Sequence, residues 1–249
     1  MPIPFNITLL KFGNETVLFD AGTGGQFQPT AGAMIANMAA AGIQPAQITK
    51  VIVSHFHPDH VFGLMSKAPD STPVFPSATI YVPSNEFKFW MDSSIFTRLP
   101  EKQHGLPKRL QAMFPLLKDK VKQYEWDTEV IPGIHSIAAP GHTPGHTAFV
   151  VGSGKEQLMV LSDTTNMPAL FAKHPDWHGA IDADPVLAEI VRPCRVRQGD
   201  RYRLPLPVTR CWYDRAGRRR LYLRACCIIK DDVYGNGHRL LTSVAVSTH

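Results

Sequence analysis

Several features of common protein classes are missing from this sequence of 249 residues. No apolar run approaches the roughly 18 residues that can span a bilayer. The start, MPIPF, has no basic region followed by an apolar stretch, as an export signal would. We therefore expect a cytoplasmic protein, as the sequence is written, with no membrane partner.

Two catalytic signatures are also missing. The sequence contains neither a Gly-x-Ser-x-Gly elbow nor a glycine-rich phosphate loop. Their absence argues against acyl-enzyme and nucleotide-dependent mechanisms. Cysteine is confined to the end of the chain, at Cys194, Cys211, Cys226 and Cys227, without the Cys-x-x-Cys spacing of a metal or redox motif.

Composition predicts one catalytic domain over residues 1–189. A hydrophobic content of 44% in 249 residues is enough for one large core, and no change of composition marks a second domain in that range. Apolar and β-branched runs ended by turn residues predict strands at 7–11, 16–19, 51–54, 79–82, 134–138, 147–151 and 158–161. Helices are predicted from a cap at Thr30 to near Gly42, over 84–92, and over 107–123 with a bend at Pro115. This order predicts an α/β (α+β) fold with stacked mixed sheets and helices outside.

Residues 87–117 are rich in Phe and Met and include Trp90. Two interpretations stay open for this stretch. It is either a mobile apolar flap over a site or a set of helices that pack against the sheet.

The most informative stretch is SHFHPDH, at residues 54–60, which follows a buried strand-like run. Four potential metal ligands fall within six positions, namely His55, His57, Asp59 and His60. The first two histidines are two apart in an extended segment, so they share a face and can bind one ion, while the proline turns the last two toward a second ion. Imidazole and carboxylate together suit Zn2+ or a similar ion. Surface histidines beside a turn are the alternative, but this density of ligands after a buried strand favours a metal site.

Two later segments complete the pattern: APGHTPGH at 139–146 and VLSD at 160–163. With them, residues 3–189 resemble the metallo-β-lactamase superfamily of binuclear hydrolases, whose fold is a four-layer αβ/βα sandwich. Within it, the chain is most similar to the branch of quorum-quenching lactonases and methyl parathion hydrolase-like enzymes. That similarity lies in PFN at 4–6, FDAGTG at 19–24, the doubled Pro-Gly-His and DADP at 182–185.

The resemblance implies a set of ligands for two zinc ions. One metal is held by His55, His57 and His142, the other by Asp59 and His60, and Asp163 bridges both. A metal-bound hydroxide is then the nucleophile, the metals stabilise the oxyanion, and Asp59 helps to move a proton. Members of this group usually carry one or two strands before the PFN segment, and some are exported. A misplaced start would therefore remove both those strands and an export signal.

The function expected from the resemblance is hydrolysis of a small-molecule lactone or ester. Phosphotriester and β-lactam hydrolysis are neighbouring alternatives, since one fold hosts many substrates. Two further alternatives are an iron-dependent oxidoreductase of the same fold and an inactive remnant whose basic tail binds polyanions. Dimers are common in similar proteins, so a homodimer is one expectation.

Other residues near these motifs receive lesser roles. His146 resembles a residue that supports the site without binding metal, with ligation as the alternative. Asp20 is expected to hold the ligand loop. His135 reads as a half-buried strand residue. His174 and His178, beside Trp177, belong either to an exposed loop or to the border of a substrate pocket.

The last 60 residues differ sharply in composition. Residues 1–189 carry 13 Lys and Arg against 17 Asp and Glu, a net charge of −4, whereas residues 190–249 carry 13 against 4, a net charge of +9. The tail also holds 12 of the 14 arginines and all four cysteines. A nucleic-acid-binding extension, a cysteine module and an out-of-frame translation all explain this composition.

We favour the out-of-frame interpretation and expect no nucleic-acid partner. Members of the resembling branch end near Gly-Tyr-His-Phe-Pro, whose His is the last ligand of the second metal. Codons for LPLP at 204–207 permit Tyr-His-Phe when they are read one nucleotide forward. The chain as written then lacks a seventh ligand, unless His238 replaces it. We therefore expect a weakened second metal site, low activity, and poor solubility from exposed apolar sheet surface.

Overall fold

The computed structural model describes residues 5–153, 156–171, 174, 176–191 and 240–248. The strands are β1 (Phe5–Phe12), β2 (Glu15–Phe19), β3 (Lys50–Ile52), β4 (Thr79–Pro83), β5 (Val121–Tyr124), β6 (Glu129–Ile131), β7 (Ile134–Ala138), β8 (Thr147–Ser153), β9 (Glu156–Val160) and β10 (Leu240–Thr248). The α-helices are α1 (Met34–Ala40), α2 (Pro58–Val61), α3 (Ser84–Met91), α4 (Ile95–Arg98), α5 (Gly105–Met113), α6 (Pro168–Phe171) and α7 (Pro185–Val191). Short 3₁₀ turns lie at Pro45–Gln47, Phe62–Leu64, Glu101–Gln103, Phe114–Lys120 and Ser162–Thr165.

The described strands form two sheets. The larger sheet has the order β10-β1-β2-β3-β4-β5, with parallel pairs from β2 to β5 and antiparallel pairs on either side of β1. The smaller sheet, β6-β7-β8-β9, is antiparallel throughout. The predicted α/β sandwich is confirmed, although only the larger of the two sheets is mixed.

Two hydrophobic clusters hold the layers together because successive side chains of a strand point to opposite faces. In the larger sheet, Leu9, Leu18 and Val51 face a cluster that includes side chains from the helices. Their neighbours along the strands face the smaller sheet and pack against it. This second cluster includes Leu10, Val17 and Ile52 from the larger sheet and Ile134, Phe149 and Val151 from the smaller one. Val51 and Ile52 of β3 are therefore buried on opposite sides of the sheet, which explains the apolar run at 51–53.

The apolar residues of 87–117 belong to the helix-side cluster. Buried members are Trp90, Ile95, Leu110, Met113, Phe114 and Leu117. This is the packed arrangement that the sequence left open as an alternative to a flap.

Two helix predictions were wrong in their bounds. Thr30 does not cap the first helix, because α1 begins only at Met34 and its N-cap is Ala33, without a side-chain hydrogen bond. The helix predicted over 107–123 ends at Met113 and continues as a 3₁₀ turn over Phe114–Lys120. The missing N–H of Pro115 ends the α-helical ladder, and the last predicted residues form β5 instead. The sequence also missed β6 and β10.

Part of the tail takes a regular place in the fold. The strand β10 pairs antiparallel with β1, from Phe5 opposite Thr248 to Phe12 opposite Leu240. No strand was predicted from the sequence for this part of the tail, so the strand at the edge of β1 is a finding of the structure. The tail predictions for Cys194, Cys211, Cys226, Cys227, His238 and residues 204–207 lie outside the described residues. Within the described part of the chain, no helix is both long and apolar enough to cross a membrane.

The topology brings the ends of several strands to one rim. The parallel strands β2, β3 and β4 end at the same edge of their sheet, so the residues that follow them lie close together. Asp20 follows β2, and the histidine loop follows β3. A close approach fixes the two segments, since a Cβ on Gly63 would lie 1.9 Å from the carbonyl oxygen of Ala21.

Candidate metal centre

Three histidines converge in the first half of the site. Nδ1 of His57 lies 3.2 Å from Nε2 of His55 and 2.9 Å from Nε2 of His142. Ligand atoms about 2.0–2.1 Å from a tetrahedral zinc ion lie about 3.3 Å from one another. The two distances from Nδ1 of His57 are close to that spacing, and the three histidines form a group that could hold a metal ion.

A second group lies directly beside the first. Nε2 of His60 is 3.4 Å from Oδ2 of Asp59 and 3.4 Å from Oδ1 of Asp163. The other oxygen of Asp163, Oδ2, is 3.3 Å from Nε2 of His142 in the first group. The carboxylate of Asp163 therefore faces both groups, one oxygen to each, as a bridging ligand requires. The structure brings all six predicted ligand residues together.

The second group differs from the prediction in one respect. The described group of potential ligand atoms here is His55, His60 and Asp163, and it does not include Asp59. The rings of His55 and His60 lie only 4.0 Å apart, centroid to centroid. His55 therefore lies between the two groups, although its spacing in the sequence assigns it to the first alone.

Asp20 orients the second group, as predicted. Its Oδ2 accepts a hydrogen bond from Nδ1 of His60 at 2.9 Å, and its Oδ1 accepts one from the backbone N–H of Ser54 at 2.7 Å. Asp20 has a φ of 62°, an uncommon left-handed conformation for a non-glycine residue. Because Nδ1 of His60 donates to Asp20, the neutral form of the ring carries its only proton there, and its Nε2 is the nitrogen that a metal could bind.

The hydroxyl of Ser54 settles the tautomer of His55. Its oxygen lies 2.9 Å from Oδ2 of Asp20, 2.7 Å from Oγ of Ser162 and 3.0 Å from Nδ1 of His55. A carboxylate can only accept, so the single hydroxyl proton goes to Asp20 and Ser54 accepts from His55. Nε2 of His55 is then the unprotonated nitrogen, and it points into the first group.

His142 is held by an acid that spacing in the sequence did not identify. Its Nδ1 donates to Oδ1 of Asp182 at 2.8 Å, while a second carboxylate oxygen of Asp182 accepts from the backbone N–H of Gly179 at 3.1 Å. A carboxylate behind a ligating histidine fixes its tautomer and raises its basicity. In the sequence, Asp182 contributed only to the family resemblance, because nothing local shows which of the two acids in DADP turns toward the site.

The carboxylates make this buried site favourable for positive charge. Burial alone would lower the pKa of His142, but hydrogen bonds to Asp163 and Asp182 raise it to about 9. Burial would likewise lower the pKa of His60, yet the charges of Asp20 and Asp163 hold it well above the usual range. Burial lowers the pKa of His57 to about 4. A divalent cation would meet the same stabilising charges, so the residues present fit a metal.

Other histidines named from the sequence lie away from the two groups. His135 is exposed on β7, with 53% of its side chain accessible and Glu129 at 3.7 Å. His174 stacks on Trp177, whose indole is 48% exposed, and His178 bonds to Glu189. Neither described metal-competent group includes them. His146 also lies outside both groups, because its ring bonds to backbone atoms on either side.

Comparisons with known proteins identify similarity to one superfamily. A profile described as the metallo-beta-lactamase superfamily matches residues 2–198. An N-acyl homoserine lactonase from a Bacillus species is 27% identical over 121 residues, which cover 49% of this chain and 40% of that protein. Curated relatives of this kind are matched over less than half of their own length.

Solved structures show the same similarity over a longer range. The structure of AidC, a dizinc quorum-quenching lactonase in complex with a product, superposes with a TM-score of 0.68 at 30% identity, over 75% of this chain and 65% of AidC. The hydrolase AbOPH, in the beta-lactamase superfamily, superposes with a TM-score of 0.66 at 30% identity, over 72% of this chain and 62% of AbOPH.

Proposed function

Since this chain belongs to the metallo-beta-lactamase superfamily, we propose that it is a metal-dependent hydrolase that opens a lactone or cleaves an ester. The carboxylate of Asp163, placed between His60 of one group and His142 of the other, is the observation on which the proposal depends. A site of this form serves two cations that share a ligand. The similarity of the chain to proteins named N-acyl homoserine lactonases supports a lactone as the substrate.

In the proposed arrangement, His55, His57 and His142 would hold one zinc ion, Asp59 and His60 would hold the other, and Asp163 would serve both. Bound divalent cations would acidify water to a pKa near 7 and stabilise the charge that develops on a carbonyl oxygen. Three further groups keep the ligands in position. Asp20, Ser54 and Asp182 hold the outer ring nitrogens, so that the inner nitrogens face the site and are the ones that lose any proton they carry when a cation binds.

Asp59 is the proposed proton acceptor. Burial raises the pKa of its carboxyl, but hydrogen bonding to His60 and the charge of that ring outweigh burial and lower the pKa. Asp59 is therefore ionised at neutral pH, which is the state that cation binding and proton acceptance both require. Its side chain is 16% accessible, so a proton can pass from it to solvent.

The test combines metal analysis with a substrate panel. The purified full chain is dialysed against zinc, its metal content is measured by mass spectrometry, and it is assayed with acyl-homoserine lactones, aryl esters, phosphotriesters and β-lactams. We expect bound zinc and fastest turnover of a lactone or ester. His57→Ala should lose both, whereas His135→Ala, which changes an exposed histidine, should keep them.

The other interpretations predict different results. Bound iron with a redox activity would support the oxidoreductase, and a chain that binds zinc but turns over nothing would support the inactive remnant. Faster turnover of a phosphotriester or a β-lactam would replace the lactone as substrate. Location in the cytoplasm and a homodimer stay predictions from the sequence.

A further inference from the structure

Glu86 is a buried acid that the proposed chemistry does not use. Its side chain has no accessible surface, and it lies in the first turn of α3, directly after β4. Burial raises the pKa of its carboxyl, and four hydrogen bonds partly oppose that effect. A carboxyl group is costly to bury unless it is hydrogen-bonded, so the partners of Glu86 indicate what it does.

The four partners come mainly from the two histidine loops. Oε1 accepts from the backbone N–H of Phe56 at 3.0 Å and from Nε1 of Trp90 at 2.7 Å. Oε2 accepts from the backbone N–H of Gly145 at 2.7 Å and from Oγ of Thr143 at 2.9 Å. Phe56 stands between two of the clustered histidines, and Thr143 follows the third. One carboxylate thus joins both segments that carry the first metal group.

The donors demand a carboxylate at this position. Three of the four, in Phe56, Trp90 and Gly145, are N–H groups that can only donate. They approach both oxygens of Glu86, so both ends of the side chain must accept. A glutamine of the same shape would turn its NH₂ group toward one of these N–H donors. It would therefore release one histidine loop or the other.

Packing leaves little freedom at the contact with the second loop. A Cβ on Gly145 would lie 2.2 Å from the backbone nitrogen of Glu86. The loop can reach the carboxylate only because residue 145 has no side chain. The helix α3 is held in place by β4, which precedes it in the larger sheet. Its close contact with Gly145 therefore also fixes the position of the loop that carries His142.

We propose that Glu86 is a positioning residue that fixes the distance between the loop of His55 and His57 and the loop of His142, and so sets the affinity of the first site for its metal. The inference depends on the proposed metal-dependent function. Carboxylates that orient ligands typically change metal affinity by roughly 10–100-fold when they are lost. We expect a loss of that size for Glu86→Gln.

The test measures zinc affinity of the full chain by competition with a chromophoric chelator, without any substrate. Glu86→Gln is compared with Glu101→Gln, which changes an exposed glutamate, and circular dichroism reports whether each variant is folded. A second pair covers the case in which Glu86→Gln does not fold. Thr143→Val removes a donor from a ligand loop, whereas Trp90→Phe removes one from α3 and leaves both loops bonded to Glu86.

The expected result is weaker zinc binding in Glu86→Gln and Thr143→Val, with unchanged binding in Glu101→Gln and Trp90→Phe. A folded Glu86→Gln that binds zinc as tightly as the wild type overturns the inference and leaves the proposed function intact. Equal losses in Thr143→Val and Trp90→Phe also overturn it, because they show only a general loss of stability. A wild-type chain that binds no zinc overturns the proposed function itself, and this inference with it.

Discussion

Nε2 of His146 accepts a hydrogen bond from the backbone N–H of Asp163 at 3.1 Å. The other ring nitrogen, Nδ1, donates to the carbonyl oxygen of Ala139 at 3.0 Å. The side chain of His146 is fully buried. Both ring nitrogens are therefore bonded to the backbone. His146 thus supports Asp163, the acid that faces both metal groups. This agrees with the interpretation of His146 as a supporting residue and not with ligation.

Replacing His146 should destabilise the fold as well as the site. His146→Ala leaves the N–H of Asp163 and the carbonyl of Ala139 without their partner, at a cost of about 1–3 kcal/mol each. We expect the free energy of unfolding in urea to fall by at least about 2 kcal/mol. His135→Ala, at an exposed position, should change it by less than about 0.5 kcal/mol. Equal stability of the two variants would contradict the assigned role.

The buried ring of His146 should also make stability depend on pH. Burial lowers its pKa to about 3 in the folded chain, whereas an unfolded histidine titrates near 6.5. The unfolded state therefore binds the proton first, and stability is lost as the pH falls from about 6.5 toward 3. In the presence of a chelator, the free energy of unfolding of the wild type should fall more steeply from pH 7 to pH 5 than that of His146→Ala. Parallel curves would show that this ring does not titrate as described.

The acid behind His142 should control metal binding through its charge. Asp182→Asn keeps an oxygen that can accept from Nδ1 but removes the negative charge that makes Nε2 more basic. We expect zinc affinity to fall by roughly 10–100-fold. Asp184→Asn is the matched control, since Asp184 accepts from the N–H of Leu187 at the start of α7 and asparagine caps equally well. An unchanged affinity in Asp182→Asn would exclude the role.

A single methyl group should disturb the contact between α3 and the His142 loop. In Gly145→Ala the new Cβ would lie 2.2 Å from the backbone nitrogen of Glu86, so one segment must move. Such overpacking costs about 1–3 kcal/mol. Gly105→Ala is the control, because a Cβ there meets no atom within 4 Å. Thermal unfolding should separate the variants, and a stable Gly145→Ala would mean that the two segments are less closely fixed than described.

The two metal groups should release their ions in separate steps. In the proposed ligand assignment the first ion has three histidines and Asp163, whereas the second has Asp59, His60 and the shared Asp163. We expect a chelator titration, followed by metal analysis, to remove one zinc ion well before the other. Two ions lost together at equal chelator concentration would indicate that a further ligand completes the second group.

The strands and helices that were predicted correctly are those whose formation depends on the residues within the element itself. The apolar run at 51–53 predicted a buried strand, and the order of apolar runs predicted the sandwich. The errors occurred where short-range signals compete. Thr30 is a good cap, but the chain begins its helix four residues later, at Met34. The strand β5 was missed because only its position beside β4 makes Val121–Tyr124 extended.

The candidate ligands His55, His57, Asp59 and His60 were predicted from residue type and spacing, because all four lie within six consecutive positions of the sequence. The acids that orient these segments come from distant parts of the sequence, and of the three only Asp20 was predicted, through its family resemblance. Asp20 reaches His60 across 40 positions, Asp182 reaches His142 across 40, and Glu86 reaches Phe56 across 30. Such contacts leave no periodic trace in the chain, since they form only when strands far apart in sequence end at the same rim.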